Sequence, residues 1–215
     1  QKTAYEIRNC DWSSDVCSSD LLTKDLSFNS LQLIFTFKKA PFIAAFTQCI
    51  ATPTSVIELG FPFSDPLADG PVIQNASTVS LEKGTKISNF FKLVKKIRKE
   101  TDIPLVMMTY TNILYHKGYP KFISEAKKSG IDGFILPDMS VEESQDYIAA
   151  AKKRKEDTIF LISPNTSSER IKKIAKASSG FLYLVAVYGT TGVKTGVKSY
   201  TVKAIKQVKI GRAHV

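Results

Sequence analysis

The sequence has few of the residues that build metal centres and nucleophilic catalytic pairs. It contains three cysteines and two histidines in 215 residues, and no two cysteines form a C-x-x-C pair. Neither His116 nor His214 has a local setting typical of a Ser–His or Cys–His pair, and neither lies near a cysteine in the sequence. We therefore expect neither a zinc site nor a histidine-activated nucleophile.

Long apolar runs and nucleotide-binding glycine motifs are also missing. No stretch approaches the roughly 20 apolar residues that span a bilayer, and the first ten residues lack the charged-then-apolar order of a signal peptide. We therefore expect a cytoplasmic protein. No G-x-G-x-x-G or Walker-type loop follows a candidate strand, which argues against a nucleotide-binding open sheet.

The clearest compositional bias is a formal net charge of +10. A nucleic-acid partner is one explanation for such a charge. The lysines, however, recur on the outer faces of amphipathic segments such as residues 92–99, and aromatic residues for base stacking are not interleaved with them. A solvated helix surface is the favoured interpretation, and a non-catalytic basic binding module stays the alternative.

The two ends of the chain look foreign to the rest. Residues 11–21 have no apolar period and resemble a translated sequencing adapter, and residues 210–215 resemble the same adapter on the other strand. We therefore interpret residues 1–21 and 210–215 as non-native segments. Residues 22–55 stay open: they could supply a first strand and helix, or they could be out-of-frame translation.

From residue 56 to residue 209, short apolar runs alternate with helical periods. The predicted strands are residues 56–59, 104–108, 133–136, 158–162 and 181–187. The predicted helices are residues 73–83, 87–97, 121–128, 141–154 and 167–177, followed by a last helix with Val202, Ile205 and Val208 inward. Capping boxes are predicted at two helix starts, Ser140 with Glu143 and Thr166 with Glu169.

This alternation predicts an α/β fold with a parallel sheet, because parallel neighbours need crossover connections and helices supply them. The candidate architectures are a (βα)8 TIM barrel and an open doubly wound sheet. Only five strands are clear, whereas a barrel needs eight. By count, this is an incomplete barrel with strands 2–6 clear, strand 1 doubtful and strands 7–8 absent.

Two carboxylates frame the expected active site. Glu58 ends the first clear strand, and Asp69 lies in the Pro- and Asp-rich loop that follows. The carboxyl ends of barrel strands meet at one face, where such folds build active sites. Enclosure of Glu58 would disfavour its charged form, which suits a proton donor and acceptor. From spacing alone, a buried structural glutamate is equally plausible, and Asp69 is more typical of a turn or helix cap.

Other residues at this face have two interpretations each. Tyr110 and Tyr183 lie at or near strand ends, where aromatic residues usually pack in the core but can also wall a pocket for a flat aromatic substrate. The Gly/Thr loop at residues 189–192 could cradle a phosphate on its backbone amides. A mobile loop with glycine hinges would fit it equally well.

The run IELGFPFSDPLADGPVIQNA, residues 57–76, closely resembles the signature of the tryptophan synthase alpha chain family. The likeness continues through TYTNILYHKG, FILPDMSVEES, LISPNTSSERI and FLYLVAVYGTTG, and it covers about residues 56–209. The resemblance implies a TIM-barrel lyase that cleaves indole-3-glycerol phosphate to indole and glyceraldehyde 3-phosphate. It implies that Glu58 shuttles protons between indole C3 and the substrate hydroxyl, and that Asp69 stabilises the indole N–H.

The resemblance also implies a pocket and a partner. Met108, Ile135 and Tyr183 match indole-pocket positions, Thr191 matches a threonine of the mobile loop, and Gly192 matches a glycine that donates to the substrate phosphate. No cofactor is implied, because pyridoxal phosphate belongs to the beta chain with which an α2β2 heterotetramer is expected. Residues 61–71, Asn112 and Met139 would face that partner.

The sequence departs from the family at both ends of the barrel. The usual turn after the first strand is missing after residues 41–46, and no seventh or eighth strand is found. Those last strands carry most of the phosphate-binding residues in the family. We therefore expect the chain as printed to fold poorly and to bind phosphate weakly. Another phosphate-sugar TIM-barrel isomerase or decarboxylase is the alternative within this fold.

Overall fold

A computed structural model of the protein describes residues 30–34 and 56–185. Its strands are β1 (Ser30–Ile34), β2 (Val56–Gly60), β3 (Leu105–Met108), β4 (Gly133–Ile135), β5 (Asp157–Ile159), β6 (Leu161–Ile162) and β7 (Tyr183–Leu184). Its helices are α1 (Pro71–Glu82), α2 (Ile87–Glu100), α3 (Thr111–Lys117), α4 (Tyr119–Ser129), α5 (Gln145–Lys153) and α6 (Ser168–Ala177). In this described part, every helix is too short or too polar to cross a membrane.

All strand pairs are parallel, and the strands follow one another in chain order. One sheet has the order β1-β2-β3-β4-β5, and β6 pairs with β7. Helices occupy the crossovers from β2 onward. A doubly wound sheet reverses its strand order at a switch point, whereas a barrel does not. The predicted barrel fold is therefore confirmed over the described residues.

The two faces of this sheet pack against different partners. Alternate strand residues such as Ile57, Leu105 and Phe134 share a cluster with helix residues, which include Phe90 and Phe122. The intervening strand residues form a second cluster, built from Val56, Val106, Ile135, Ile159, Phe181 and Tyr183. The second cluster contains no helix residue, so it marks the barrel interior.

The first strand belongs to the segment that the sequence left open. Ser30–Ile34 pairs in parallel with β2, with Leu31 opposite Ile57. The other residues of the segment 22–55 lie outside the described residues, as do the terminal segments and the last predicted helix. Of the two interpretations left open for this segment, the structure therefore agrees with the one in which it supplies a first strand.

The predicted strand at residues 158–162 is divided into β5 and β6. Phe160 separates them, and its buried ring meets Tyr147 at a centroid distance of 6.3 Å. Its carbonyl oxygen accepts a 3.0 Å hydrogen bond from the Tyr183 amide, so pairing with β7 continues across the break. The division separates the five-stranded sheet from the β6–β7 pair.

The helix starts differ from the predicted capping boxes. The Ser140 hydroxyl donates to the Glu143 carboxylate at 2.8 Å, and α5 begins only at Gln145. At α6, the Ser167 hydroxyl accepts from the Arg170 amide at 3.3 Å. The Thr166 hydroxyl instead accepts from the Ser163 amide at 3.0 Å. Neither predicted capping box forms. The Ser140–Glu143 pair bonds through its side chains and ends before the helix begins at Gln145, and Ser167 rather than Thr166 is the N-cap residue of α6.

Candidate active site

Glu58 lies in the middle of β2 (Val56–Gly60), not at the strand end expected from the sequence, and it points into the barrel. Its neighbours Ile57 and Leu59 pack on the helix side, and Val56 belongs to the interior cluster. Because strand side chains alternate, Glu58 shares the interior face with Val56. Glu58 is only 5% exposed. The enclosure expected from the sequence is therefore found.

Three predicted pocket residues line the same interior. Met108 is opposite Gly60 on β2 and opposite Ile135 on β4. Because Gly60 is two residues after Glu58, Met108 lies on the same face of the sheet, nearer the carboxyl ends of the strands. Ile135 and Tyr183 are buried in the interior cluster, and Met108 packs against it. The structure brings these side chains and Glu58 to one surface.

Two further residues of this surface were missed from the sequence. Leu161 and Val185 pack against the interior cluster. Leu161 is two residues from Ile159, and Val185 is two residues from Tyr183. The period-2 alternation of the strands was the signal that could have identified both.

Asp69 lies at the end of the loop between β2 and α1, and it is 8% exposed. Its amide donates to the Pro66 carbonyl at 3.0 Å, and its carbonyl accepts from the Gln74 side chain at 2.9 Å. Gly70 is the N-cap residue of α1, and no side chain caps that helix. The helix-cap interpretation of Asp69 is therefore wrong, whereas the bond to Pro66 agrees with the turn interpretation.

The Asp69 carboxylate contacts Tyr110, the residue before α3. The Tyr110 hydroxyl donates to Oδ2 of Asp69 at 3.0 Å and accepts from the Ala68 amide at 3.0 Å. Burial raises the pKa of the Asp69 carboxyl, and the Tyr110 hydrogen bond opposes this rise. Burial also raises the pKa of the Tyr110 hydroxyl. Tyr110 thus does more than form a pocket wall, because its hydroxyl is bonded to the loop.

Tyr183 is a buried residue of the interior cluster, and its hydroxyl responds to both carboxyl groups. Burial raises the pKa of its hydroxyl well above the usual range, and the negative charges of Glu58 and Asp69 raise it further. Both carboxyl groups therefore act on one buried side chain of the barrel interior.

Three predictions concern residues at or beyond the rim of this site. Thr191, Gly192 and the rest of the loop at residues 189–192 lie outside the described residues. In the loop at residues 61–71, Leu67 is 88% exposed. Asn112 is exposed on α3, and Met139 is half-buried. The two exposed residues leave this rim accessible.

The described ranges, 30–34 and 56–185, contain no group of three histidine, cysteine, aspartate or glutamate side chains that could hold a metal ion. The chemistry that the described site offers comes from carboxyl and phenol groups. A buried carboxyl group can donate and accept protons, because burial favours its neutral form. A second carboxylate nearby can stabilise positive charge.

Comparison with known proteins matches the chain to one family. The family model described as tryptophan synthase alpha chain matches residues 37–214. The tryptophan synthase alpha chain of Pyrococcus abyssi is 40% identical over 164 residues, which are 76% of this chain and 66% of the relative. That of Petrotoga mobilis is 43% identical over 159 residues, which are 72% of this chain and 62% of the relative.

The fold comparison agrees. A chain from the structure of the tryptophan synthase α2β2 complex of Pyrococcus furiosus superposes with a TM-score of 0.78 at 34% identity. The superposition covers 85% of this chain and 74% of that one. The chain spans just under two thirds of the length of the two curated relatives. The chain belongs to the tryptophan synthase alpha chain family.

Proposed function

We propose that this protein is a carbon–carbon lyase that cleaves indole-3-glycerol phosphate to indole and glyceraldehyde 3-phosphate. The observation that carries the proposal is a buried carboxyl group, Glu58, on the apolar interior face of the barrel, with a second buried carboxylate, Asp69, held in the loop that follows its strand. Two carboxyl groups beside a buried, largely apolar interior suit a flat aromatic substrate with one reacting carbon. The reaction would serve tryptophan biosynthesis in the cytoplasm.

The first step uses Glu58 as a general acid. Its protonated carboxyl group transfers a proton to C3 of the indole ring, and the ring becomes positively charged. The Asp69 carboxylate accepts a hydrogen bond from the indole N–H and stabilises that charge, which is strongest in the transition state. The apolar surroundings strengthen this attraction, because little water competes with it.

The second step breaks the carbon–carbon bond. The Glu58 carboxylate, now deprotonated, takes the proton of the substrate hydroxyl on the carbon attached to C3. The oxygen forms the aldehyde carbonyl, and the electron pair of the broken bond returns to the indole ring. Glu58 regains its proton, so the two steps balance without a metal ion or an organic cofactor.

The pocket residues fit the same substrate. Met108, Ile135 and Tyr183 would pack against the two faces and edge of the indole ring. Thr191 would close the mobile loop near Asp69, and the Gly192 amide would donate to the substrate phosphate. Apolar contacts place C3 close to Glu58, and such placement supplies much of the rate enhancement.

The proposed partner is a tryptophan synthase beta chain in an α2β2 heterotetramer. The superposed Pyrococcus furiosus chain comes from such a complex. The loop at residues 61–71, Asn112 and Met139 would face the beta chain, and exposure of Leu67 and Asn112 supports this assignment. Pyridoxal phosphate would be held by the partner, which consumes the indole.

The test is direct detection of both products. The purified chain is incubated with indole-3-glycerol phosphate, with and without a beta chain, and indole and glyceraldehyde 3-phosphate are measured together. We expect equimolar products, with a high KM if phosphate binding is weak. Product formation no greater than that of the Glu58→Gln variant would overturn the proposal.

A further inference from the structure

Tyr110 contacts three residues of the loop that carries Asp69. Its ring stacks on Phe63 with a centroid distance of 5.0 Å and an interplanar angle of 25°. Its hydroxyl accepts from the Ala68 amide and donates to Oδ2 of Asp69, each at 3.0 Å. Tyr110 itself is 6% exposed and is the N-cap residue of α3, two residues after β3, so the loop is attached to a buried residue between two regular elements.

The backbone and the side chain of Asp69 are held by different residues. The Pro66 carbonyl and the Gln74 side chain bind its backbone amide and carbonyl. The Tyr110 hydroxyl binds one oxygen of its carboxylate. The backbone contacts therefore fix the position of the residue, whereas the Tyr110 contact fixes the orientation of the carboxylate.

We propose that Tyr110 is a positioning residue that orients Asp69 and leaves its Oδ1 for the indole N–H. The proposal rests on the function proposed above. A carboxylate has two oxygens, and with Oδ2 engaged by Tyr110 the second oxygen is the one left to accept from substrate. The amide of Ala68 orients the Tyr110 hydroxyl, because that oxygen accepts from Ala68 and its proton is free to point at Asp69.

The same contact favours the charged form of Asp69. Burial favours the protonated form of Asp69, and the hydroxyl donor favours the anion. Among residues 30–34 and 56–185, the other ionisable groups that act on this pair or on its neighbour Tyr183 are acidic: Glu58 on β2 and, beside Tyr110, Asp138. None of them supplies positive charge, so the Tyr110 hydrogen bond is the described contact that favours the ionised carboxylate.

The decisive variant is Tyr110→Phe, which removes the hydroxyl and keeps the ring on Phe63. Tyr115→Phe is the matched control, because Tyr115 is a nearby tyrosine whose side chain is 70% exposed. The first measurement is the titration of the Asp69 carboxyl by carbon-13 NMR of labelled aspartate, with the Asp69→Asn variant used for assignment. This readout does not require activity.

We expect the Asp69 carboxyl to titrate at higher pH in Tyr110→Phe and at the wild-type pH in Tyr115→Phe. In kinetics, we expect kcat to fall about 10- to 100-fold with a smaller change in KM. The acid limb of the pH profile should move to higher pH, because Asp69 must be ionised to act. A merely structural role for Tyr110 would not move that limb.

An unchanged or lowered Asp69 titration in Tyr110→Phe would overturn the proposal. If Tyr110→Phe does not fold, 3-fluorotyrosine placed at position 110 provides the second test, because it is a stronger donor of nearly the same shape. Asp69 should then titrate at lower pH, and an unchanged value would contradict the proposal. If the wild-type protein is inactive but the Asp69 carboxyl titrates as expected in the variants, the lyase function is refuted. The proposed effect of Tyr110 on Asp69 would then still stand.

Discussion

Glu58 and Val106 are opposite each other on adjacent parallel strands, so the carboxyl group of Glu58 enters the barrel beside an apolar side chain. The register of β2 and β3 decides this contact. A shift of one residue would exchange Glu58 with Leu59 and turn the carboxylate toward the helices. The proposed chemistry therefore depends on strand register as much as on the identity of residue 58.

Glu58→Gln removes the proposed proton shuttle and keeps the size and burial of the side chain. We expect kcat for indole release to fall by about 10²- to 10⁴-fold, because an amide cannot transfer the proton to C3. Rapid-mixing detection of indole measures this loss. Glu82→Gln, at the exposed end of α1, is the matched control and should keep wild-type kcat. Equal rates for wild type and Glu58→Gln would refute the role of Glu58.

Glu156 should make stability depend on pH. It lies just before β5 and is 4% exposed, with its Oε1 2.9 Å from Nζ of Lys127. Burial raises the pKa of its carboxyl to about 7, although Lys127 opposes the rise. Between pH ~4.5 and ~7 the folded state keeps a proton that the unfolded state has lost. The free energy of unfolding should therefore fall as pH rises through this window.

Glu156→Gln should remove that slope, because glutamine does not titrate. Urea unfolding at pH 5 and pH 7.5 measures the difference, which we expect to be on the order of 1 to 3 kcal/mol in the wild type. The exposed Glu100 gives the control variant Glu100→Gln, which should retain the wild-type slope. A slope that persists in Glu156→Gln would assign the pH dependence to another group.

Gly84 and Gly180 both have a left-handed backbone, and replacing each by alanine should lower the stability of the protein by a different amount. A Cβ at Gly180, where φ is +67°, would lie 2.8 Å from Oδ2 of Asp157 and 3.2 Å from its Cβ. A Cβ at Gly84, where φ is +75°, would meet nothing within 4 Å. Gly84→Ala should cost about 1 to 2 kcal/mol of stability from backbone strain.

Gly180→Ala should cost more than Gly84→Ala, because Asp157 at the start of β5 must also move. We expect a further loss of about 1 kcal/mol or more, as is usual when a packed site is overfilled. Chemical denaturation of both variants gives the comparison. Equal losses would mean that Asp157 rearranges freely.

Arg98 should be a stability residue at the end of the barrel away from Glu58. Its guanidinium donates to the carbonyl oxygens of Gly130 at 2.6 Å and Ile103 at 3.0 Å, and it pairs with Asp132 at 2.5 Å. Arg98→Ala should lower the free energy of unfolding by about 1 to 3 kcal/mol, because these acceptors lose a charged donor. Lys96→Ala, exposed on the same helix, should change it by less than about 0.5 kcal/mol. Similar losses in both variants would contradict this role.

Local patterns predicted the strands well and the helix starts less well. The apolar runs around β2, β3 and β4 identified each strand to within about one residue, because a buried parallel strand is apolar on both faces. Because both faces are apolar, the sequence does not show which face of a strand points into the barrel. Leu161 and Val185 were therefore not recognised as residues of the interior. Helix α3 was missed, since its few residues provide too little apolar period to detect.

The capping boxes failed for a related reason. Ser140 and Thr166 have the spacing of caps, but Ser140 bonds to the side chain of Glu143 ahead of the helix, and Thr166 accepts from the Ser163 amide. A short polar side chain has several acceptors and donors within reach, and sequence spacing does not rank them. The foreign origin of residues 1–21 and 210–215 stays a prediction, because those segments lie outside the described residues.

The sequence by itself determined the alternation of strands and helices and the family to which the chain belongs. It also identified the two carboxylates, Glu58 in β2 and Asp69 in the loop after it. Apolar periodicity and a long signature motif are properties of neighbouring residues in the chain, so both can be recognised from the sequence alone. Only the tertiary structure decided that Glu58 faces the interior and that Asp69 bonds to Tyr110, 41 residues further along the chain. That pair depends on which strand ends meet, because a hydrogen bond needs atoms brought close in space.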